Sequence, residues 1–117
     1  MKVRLLKGID AYRTCVAEAQ AIKQPFTRTI EVDKHLAAHI LEYNPPAENR
    51  AISISAVTHY ADAMKAGLWQ TMNGQQIVIS QEGLLNDGQH RLNAVIEAGV
   101  KLQFQFLFGA ERESRLT

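Results

Sequence analysis

The chain has 117 residues, 46% hydrophobic and 21% charged, and 13 Lys plus Arg against 12 Asp plus Glu leave a formal net charge of +1. That balance excludes a strongly basic surface spread over the whole protein, so any nucleic-acid role must rest on a local patch. The single cysteine, Cys15, excludes an intramolecular disulfide or a multi-cysteine zinc site. Roughly two-thirds of the unfolded surface can be buried by a chain of this length, enough for a core without staples. The longest apolar runs, residues 36–41 and 104–108, fall far short of the ~20 residues of a membrane span. Met1 to Gly8 carries Lys2, Arg4 and Lys7 without the apolar core of a signal peptide, so a cytoplasmic address is expected.

No repeat, low-complexity run or Gly/Ser linker divides the chain. Residues 9–23 place Tyr12, Val16, Ala19 and Ile22 near one face of a helix that ends before Pro25. Residues 26–32 alternate Phe26, Arg28, Ile30 and Val32 with Thr27, Thr29 and Glu31, the pattern of a strand. Asp33 is placed to cap a helix through Leu36, Ile40 and Leu41, which Asn44-Pro45-Pro46 stops. Ser55 is expected to cap the next helix, with Val57, Tyr60, Ala61, Met64 and Leu68 as its apolar stripe and Gly67 as its stop. After an Asn73-Gly74 turn, Ile77-Val78-Ile79 reads as a buried strand, and the Gln81-Glu82-Gly83 turn leads to a short strand at Leu84-Leu85. A helix follows from Asp87 to Gly99, with Leu92, Val95 and Ile96 on its apolar face, and residues 102–108 alternate Leu102, Phe104, Phe106 and Phe108 with Gln103 and Gln105 as a final strand. The order predicts an α+β domain on a small mixed sheet with packed helices. The last residues form a charged segment with no evident fold of its own.

Chemistry concentrates at Asp87-Gly88-Gln89-His90-Arg91. A strand, a glycine turn and a helix opening on His and Arg make an anion site, because unpaired N–H groups and the positive helix end point outward there. Cations are disfavoured at that end, so His90 and Arg91 imply either a bound anion or a partner carboxylate, with Asp87 nearby. Alternatively Asp87 caps the helix and Arg91 pairs with a surface acid such as Glu82 or Glu97. His35 and His39 share a helix face at i, i+4, but Leu36 breaks the H-E-x-x-H metal pattern, and a structural role is favoured. Trp69 offers a face for a nucleobase or a plug for the core; the plug is favoured. Ser53, Ser55 and Ser80 lie in no G-x-S-x-G turn, so a covalent serine mechanism is not indicated.

The segment GLLNDGQHRLNAVIEAGV resembles the strand–glycine–Arg–helix motif of the ParB/sulfiredoxin superfamily. The likeness extends over residues 26–109, from the opening strand through the Asn-Pro turn and Asn49-Arg50 to the last strand. It is strongest toward phage and bacterial ParB-like domains with a D-G-Q-H-R-L sequence. It divides the chain into an N-terminal helical extension (1–25), the ParB/sulfiredoxin-like domain (26–109) and a charged tail (110–117). The resemblance implies binding of CTP or ATP with Mg²⁺. Gly88, His90 and Arg91 would hold phosphate, with Gln89 in the same nucleotide-binding set, Arg50 would approach from the other side with Asn49 orienting its turn, and Asp87 would hold the metal or cap the helix. It also implies a nucleotide switch or weak NTPase in phage or plasmid DNA-related processes. A DNA-processing nuclease and a non-catalytic DNA- or protein-binding module are the alternatives, and a homodimer is left open. Gln89 stands where sulfiredoxins carry their catalytic cysteine, so sulfinic-acid reduction is not expected.

Overall fold

A computed structural model describes residues 5–42, 51–69 and 75–112. Strand β1 (Leu6–Lys7) is followed by α1 (Gly8–Ile22), β2 (Phe26–Val32), α2 (Lys34–Leu41), α3 (Ile54–Lys65), β3 (Ile77–Ser80), β4 (Leu85–Asp87), α4 (Gln89–Ala98) and β5 (Leu102–Ala110). The fold is α+β, with four helices and a five-stranded mixed sheet in the order β1-β2-β5-β3-β4. Among the described residues no helix is long and apolar enough to cross a membrane.

The long β5 ladder organises the sheet. It runs antiparallel to β2, with Ile30 opposite Phe104 and Phe26 opposite Phe108, and parallel to β3, with Ile77 opposite Phe106. Alternation sends Phe104, Phe106 and Phe108 to one face, where they are fully buried with Ile30, Val32, Ile77 and Ile79. The buried stripes of all four helices join this face in one cluster: Tyr12, Cys15 and Ala19 from α1, Leu36 and Ile40 from α2, Val57 and Met64 from α3, Leu92 and Val95 from α4. The opposite face carries Thr27, Thr29, Gln103, Gln105 and Leu107, half-buried or exposed. Two layers result, helices on one side of the sheet only.

Several expectations are met and others corrected. The helix over 9–23 forms, and its Tyr12, Cys15 and Ala19 enter the same core as the rest of the chain, whereas Ile22 is 49% exposed. Strand β1 was not anticipated: two residues pairing parallel to β2 are too short for any periodic signal. Asp33 caps α2 as expected, its Oδ1 accepting from Leu36 N–H at 2.9 Å. Ser53, not Ser55, caps α3, its Oγ accepting from Ala56 N–H at 3.3 Å. Leu68 lies beyond the end of α3 and is 74% exposed, so it takes no part in the apolar stripe. The Gln81-Glu82-Gly83 turn is closed by Ser80 N–H donating to Leu84 O and Leu84 N–H donating to Ser80 Oγ.

Gly109 is the one glycine the sheet itself requires. β3 pairs Ile79 with Phe108 and Ser80 with Ala110, so Gly109 is the extra residue of a bulge, at φ +82°. A Cβ there would stand 3.0 Å from Gln24 O and 3.2 Å from the Pro25 Cα, so β5 passes directly against the α1–β2 connection.

Two outcomes follow for the core. Phe106 stacks on Phe108 at 5.4 Å and meets Tyr12 edge-on at 6.1 Å; Phe106→Ala should cost about 3–5 kcal/mol in urea denaturation. Burial pushes the Cys15 thiol above its ordinary value; Arg28 opposes this and Glu18 adds to it. A thiol raised in the fold favours the folded state fully below the unfolded-chain value and progressively less as pH rises through the folded one. Stability measured across the alkaline range should therefore fall above about pH 8.5, where free thiols ionise, and Cys15→Ala should flatten that fall.

Candidate functional site

The candidate site is the junction between β4 and α4. β3 and β4 pair antiparallel, Val78 opposite Asp87, and the chain turns at Gly88 directly into α4. Gly88 has φ +123°, and a Cβ would stand 3.1 Å from both Cγ atoms of Ile77. Backbone conformation and packing thus both exclude a side chain. Gly88 O accepts the first α4 bond from Leu92 N–H at 2.9 Å. Gly88, not Asp87, is the N-cap of α4, and a glycine has no side chain with which to cap it. The expectation that Asp87 caps this helix is therefore corrected.

Asp87 instead pairs with Arg91, Oδ2 to Nη2 at 3.6 Å, one helical turn apart. Arg91 takes neither Glu82 nor Glu97 as its partner in that pair. Its Nη1 donates to Gln75 O and its Nη2 to Gln76 O, each at 3.1 Å. The side chain is 9% exposed against 46% for Asp87. Burial draws the guanidinium below its ordinary value, and Asp87 and then Tyr60 hold it up. Arg91 consequently ties the residues entering β3 to the start of α4, with two donor nitrogens directed at backbone carbonyls. Its charge still lies at the positive end of α4, where the Asp87 carboxylate offsets it.

Gln89 is buried, and its carbonyl accepts from Asn93 Nδ2 at 2.8 Å. His90 is half-buried, and its Nε2 accepts from Ser53 N–H at 2.9 Å. This bond brings the start of α3 to the start of α4, and sequence reasoning missed it, since 37 residues separate the partners. Asn49 and Arg50 lie outside the described residues, three and more positions before Ser53 in the sequence. Gly88, Gln89, His90, Arg91 and Asp87 are thus gathered at one turn, with Ser53 as an unforeseen neighbour.

The other candidates separate from it. Trp69 is half-buried, meeting Tyr60 edge-on at 5.1 Å and Phe104 at 6.5 Å, as a core plug should. His39 lies edge-on to Tyr12 at 5.9 Å, while His35 lines a cleft of about 280 Å³ with Lys7, Asp10 and Asp33. Ser53 and Ser80 spend their hydroxyls on the α3 cap and the β3–β4 turn.

Chemically, the junction offers the first-turn N–H groups of α4, which have no acceptor within the helix, and the positive end of its dipole. Asp87 is a single half-exposed carboxylate, and among the described residues no three His, Cys, Asp or Glu side chains gather as a metal site. One carboxylate suits Mg²⁺ only where phosphate oxygens complete its coordination. Comparison with protein-family models, curated proteins and solved structures gives no match.

The turn's dependence on its scaffold is measurable. Gly88→Ala should destabilise by about 1–3 kcal/mol through backbone strain alone. Arg91→Ala should cost about 2–4 kcal/mol by leaving two carbonyls and a carboxylate without their shared partner. Arg91→Lys should recover little, because an ammonium cannot reproduce the planar fork. Urea midpoints of the three variants provide the check.

Proposed function

We propose that this chain is a ParB/sulfiredoxin-like domain that binds a nucleoside triphosphate, CTP or ATP with Mg²⁺, at the β4–α4 junction. The reading rests on the resemblance of residues 26–109 and on one observation above all. The His90–Ser53 hydrogen bond joins the segment that follows Asn49-Arg50 to the start of α4, whose N-cap is a glycine. The bond supports the reading because it brings Ser53, a few positions along the sequence from one stretch that resembles the family's pocket, to the turn that resembles the other.

In this reading the first-turn N–H groups of α4 receive phosphate oxygens, as helix N-termini do for anions generally. Gly88 supports the role by letting the backbone approach without a side chain in the way. Arg91 acts differently from the direct phosphate ligand expected at first: it fixes the turn's shape and contributes positive potential from behind. Arg50 supplies a further cationic contact. Asp87 would hold Mg²⁺, which when bound neutralises phosphate charge. The domain is then a nucleotide-responsive switch or weak NTPase, serving DNA-related processes of a phage or plasmid.

Thermal shift tests this directly, with CTP, ATP, GTP and UTP each supplied with Mg²⁺. A bound nucleotide at a hundred times its Kd stabilises by about 2.7 kcal/mol, a rise in Tm on the order of 10 °C for a domain this small. Arg50→Ala should keep the ligand-free Tm and require more nucleotide for the same rise. No shift with any of the four nucleotides overturns the reading.

A further inference from the structure

We propose that His90 is a positioning residue that latches the start of α3 to the start of α4, and that it does so as the neutral Nδ1–H tautomer. The donor in the bond is a backbone N–H, so the accepting Nε2 carries no proton. A neutral imidazole then has its proton on Nδ1, leaving that edge of the ring as a donor.

The bond is a polar link between two helices whose apolar stripes share one core. Ser53 is the N-cap of α3 and uses its hydroxyl on Ala56 N–H at 3.3 Å, with Ser55 Oγ also 3.3 Å away. Its own N–H precedes the helix and takes no part in the α3 ladder, which makes it available to His90. On the other side, Gly88 and Arg91 fix where α4 begins, and with it where the imidazole stands. Both anchors are packed: a Cβ at Gly88 would meet Ile77 at 3.1 Å, and Arg91 is held by Gln75 O, Gln76 O and Asp87. The latch therefore sets the position of the chain three residues after Arg50 against the turn at Gly88. Resting here on the nucleotide reading, it follows that His90 governs affinity by holding the start of α3 in register with the phosphate-binding turn at Gly88.

Two measurements test this, one without nucleotide and one with it. In the ligand-free protein at neutral pH, ¹⁵N spectra of the imidazole should show the Nδ1–H tautomer. The Ser53 amide should exchange with solvent about tenfold more slowly in wild type than in His90→Phe, the scale of one hydrogen bond. An Nε2–H tautomer, or equal Ser53 exchange in the two proteins, overturns the latch. His90→Gln places an amide oxygen near the Nε2 position and should restore the slow exchange. With the nucleotide that gives the largest thermal shift, Kd should rise about tenfold in His90→Phe and stay within about threefold of wild type in His90→Gln, at similar ligand-free Tm. Equal affinity in all three proteins overturns the link from latch to pocket. Failure of wild type to bind any nucleotide overturns that link as well, together with the nucleotide reading, while the tautomer and exchange results still decide the latch. Should His90→Phe fail to fold, the wild-type tautomer and the His90→Gln exchange rate decide the latch.

Discussion

The inward face of β5 is the constraint on which the rest of the molecule depends. Three phenylalanines at alternate positions can be buried only if helices cover one side of the sheet, and all four helices do. The strand also pairs on both edges, antiparallel to β2 and parallel to β3, so it joins the first half of the chain to the second. The Gly109 bulge shifts its register at the point where it passes Gln24 and Pro25. The sheet's geometry is consequently tied to the connection between α1 and β2.

The β4–α4 junction inherits its position from this frame. β3 lies beside β5, β4 lies beside β3, and the side chain of Ile77, on β3, is the surface against which Gly88 is pressed. Arg91 then reaches back to the residues just before β3, so the helix start is fixed from both the strand that leads into it and the strand beside that one. A buried guanidinium is costly unless its donors and charge are met, and here two carbonyls and Asp87 meet them. The combination ties the turn to the residues entering β3 and to the side chain of Ile77.

Much of this was legible in the residues, for reasons that can be named. The Phe104, Phe106 and Phe108 alternation, the Asp33 cap and the Gly99 stop each depend on local chemistry, which a sequence displays directly. Asp87 and Arg91 were readable as neighbours at i, i+4, although which partner Arg91 takes is settled by tertiary burial. What was not legible depends on contacts remote along the chain. The sequence points to Ser55 as the cap of α3, whereas the structure uses Ser53, whose N–H also meets His90 37 positions later. β1 is two residues long and is a strand only because β2 lies beside it. Leu68 fits a helical stripe by spacing, yet the helix ends at Lys65 and leaves it outside.

Glu111 and Arg112, at the start of the charged segment, are tied into the sheet. Arg112 Nη1 donates to Leu85 O at 2.8 Å and to Asn86 Oδ1 at 2.7 Å, while Asn86 Nδ2 donates to Glu111 O at 2.8 Å. β4 is the last strand of the sheet, and a terminal strand with unpaired carbonyls is a template for strands of other molecules. Arg112 takes Leu85 O, so one backbone acceptor of β4 is already engaged by the protein's own side chain. Among the described residues the opposite border is the two residues of β1. A strand added from another molecule would meet an arginine at one margin and little described length at the other.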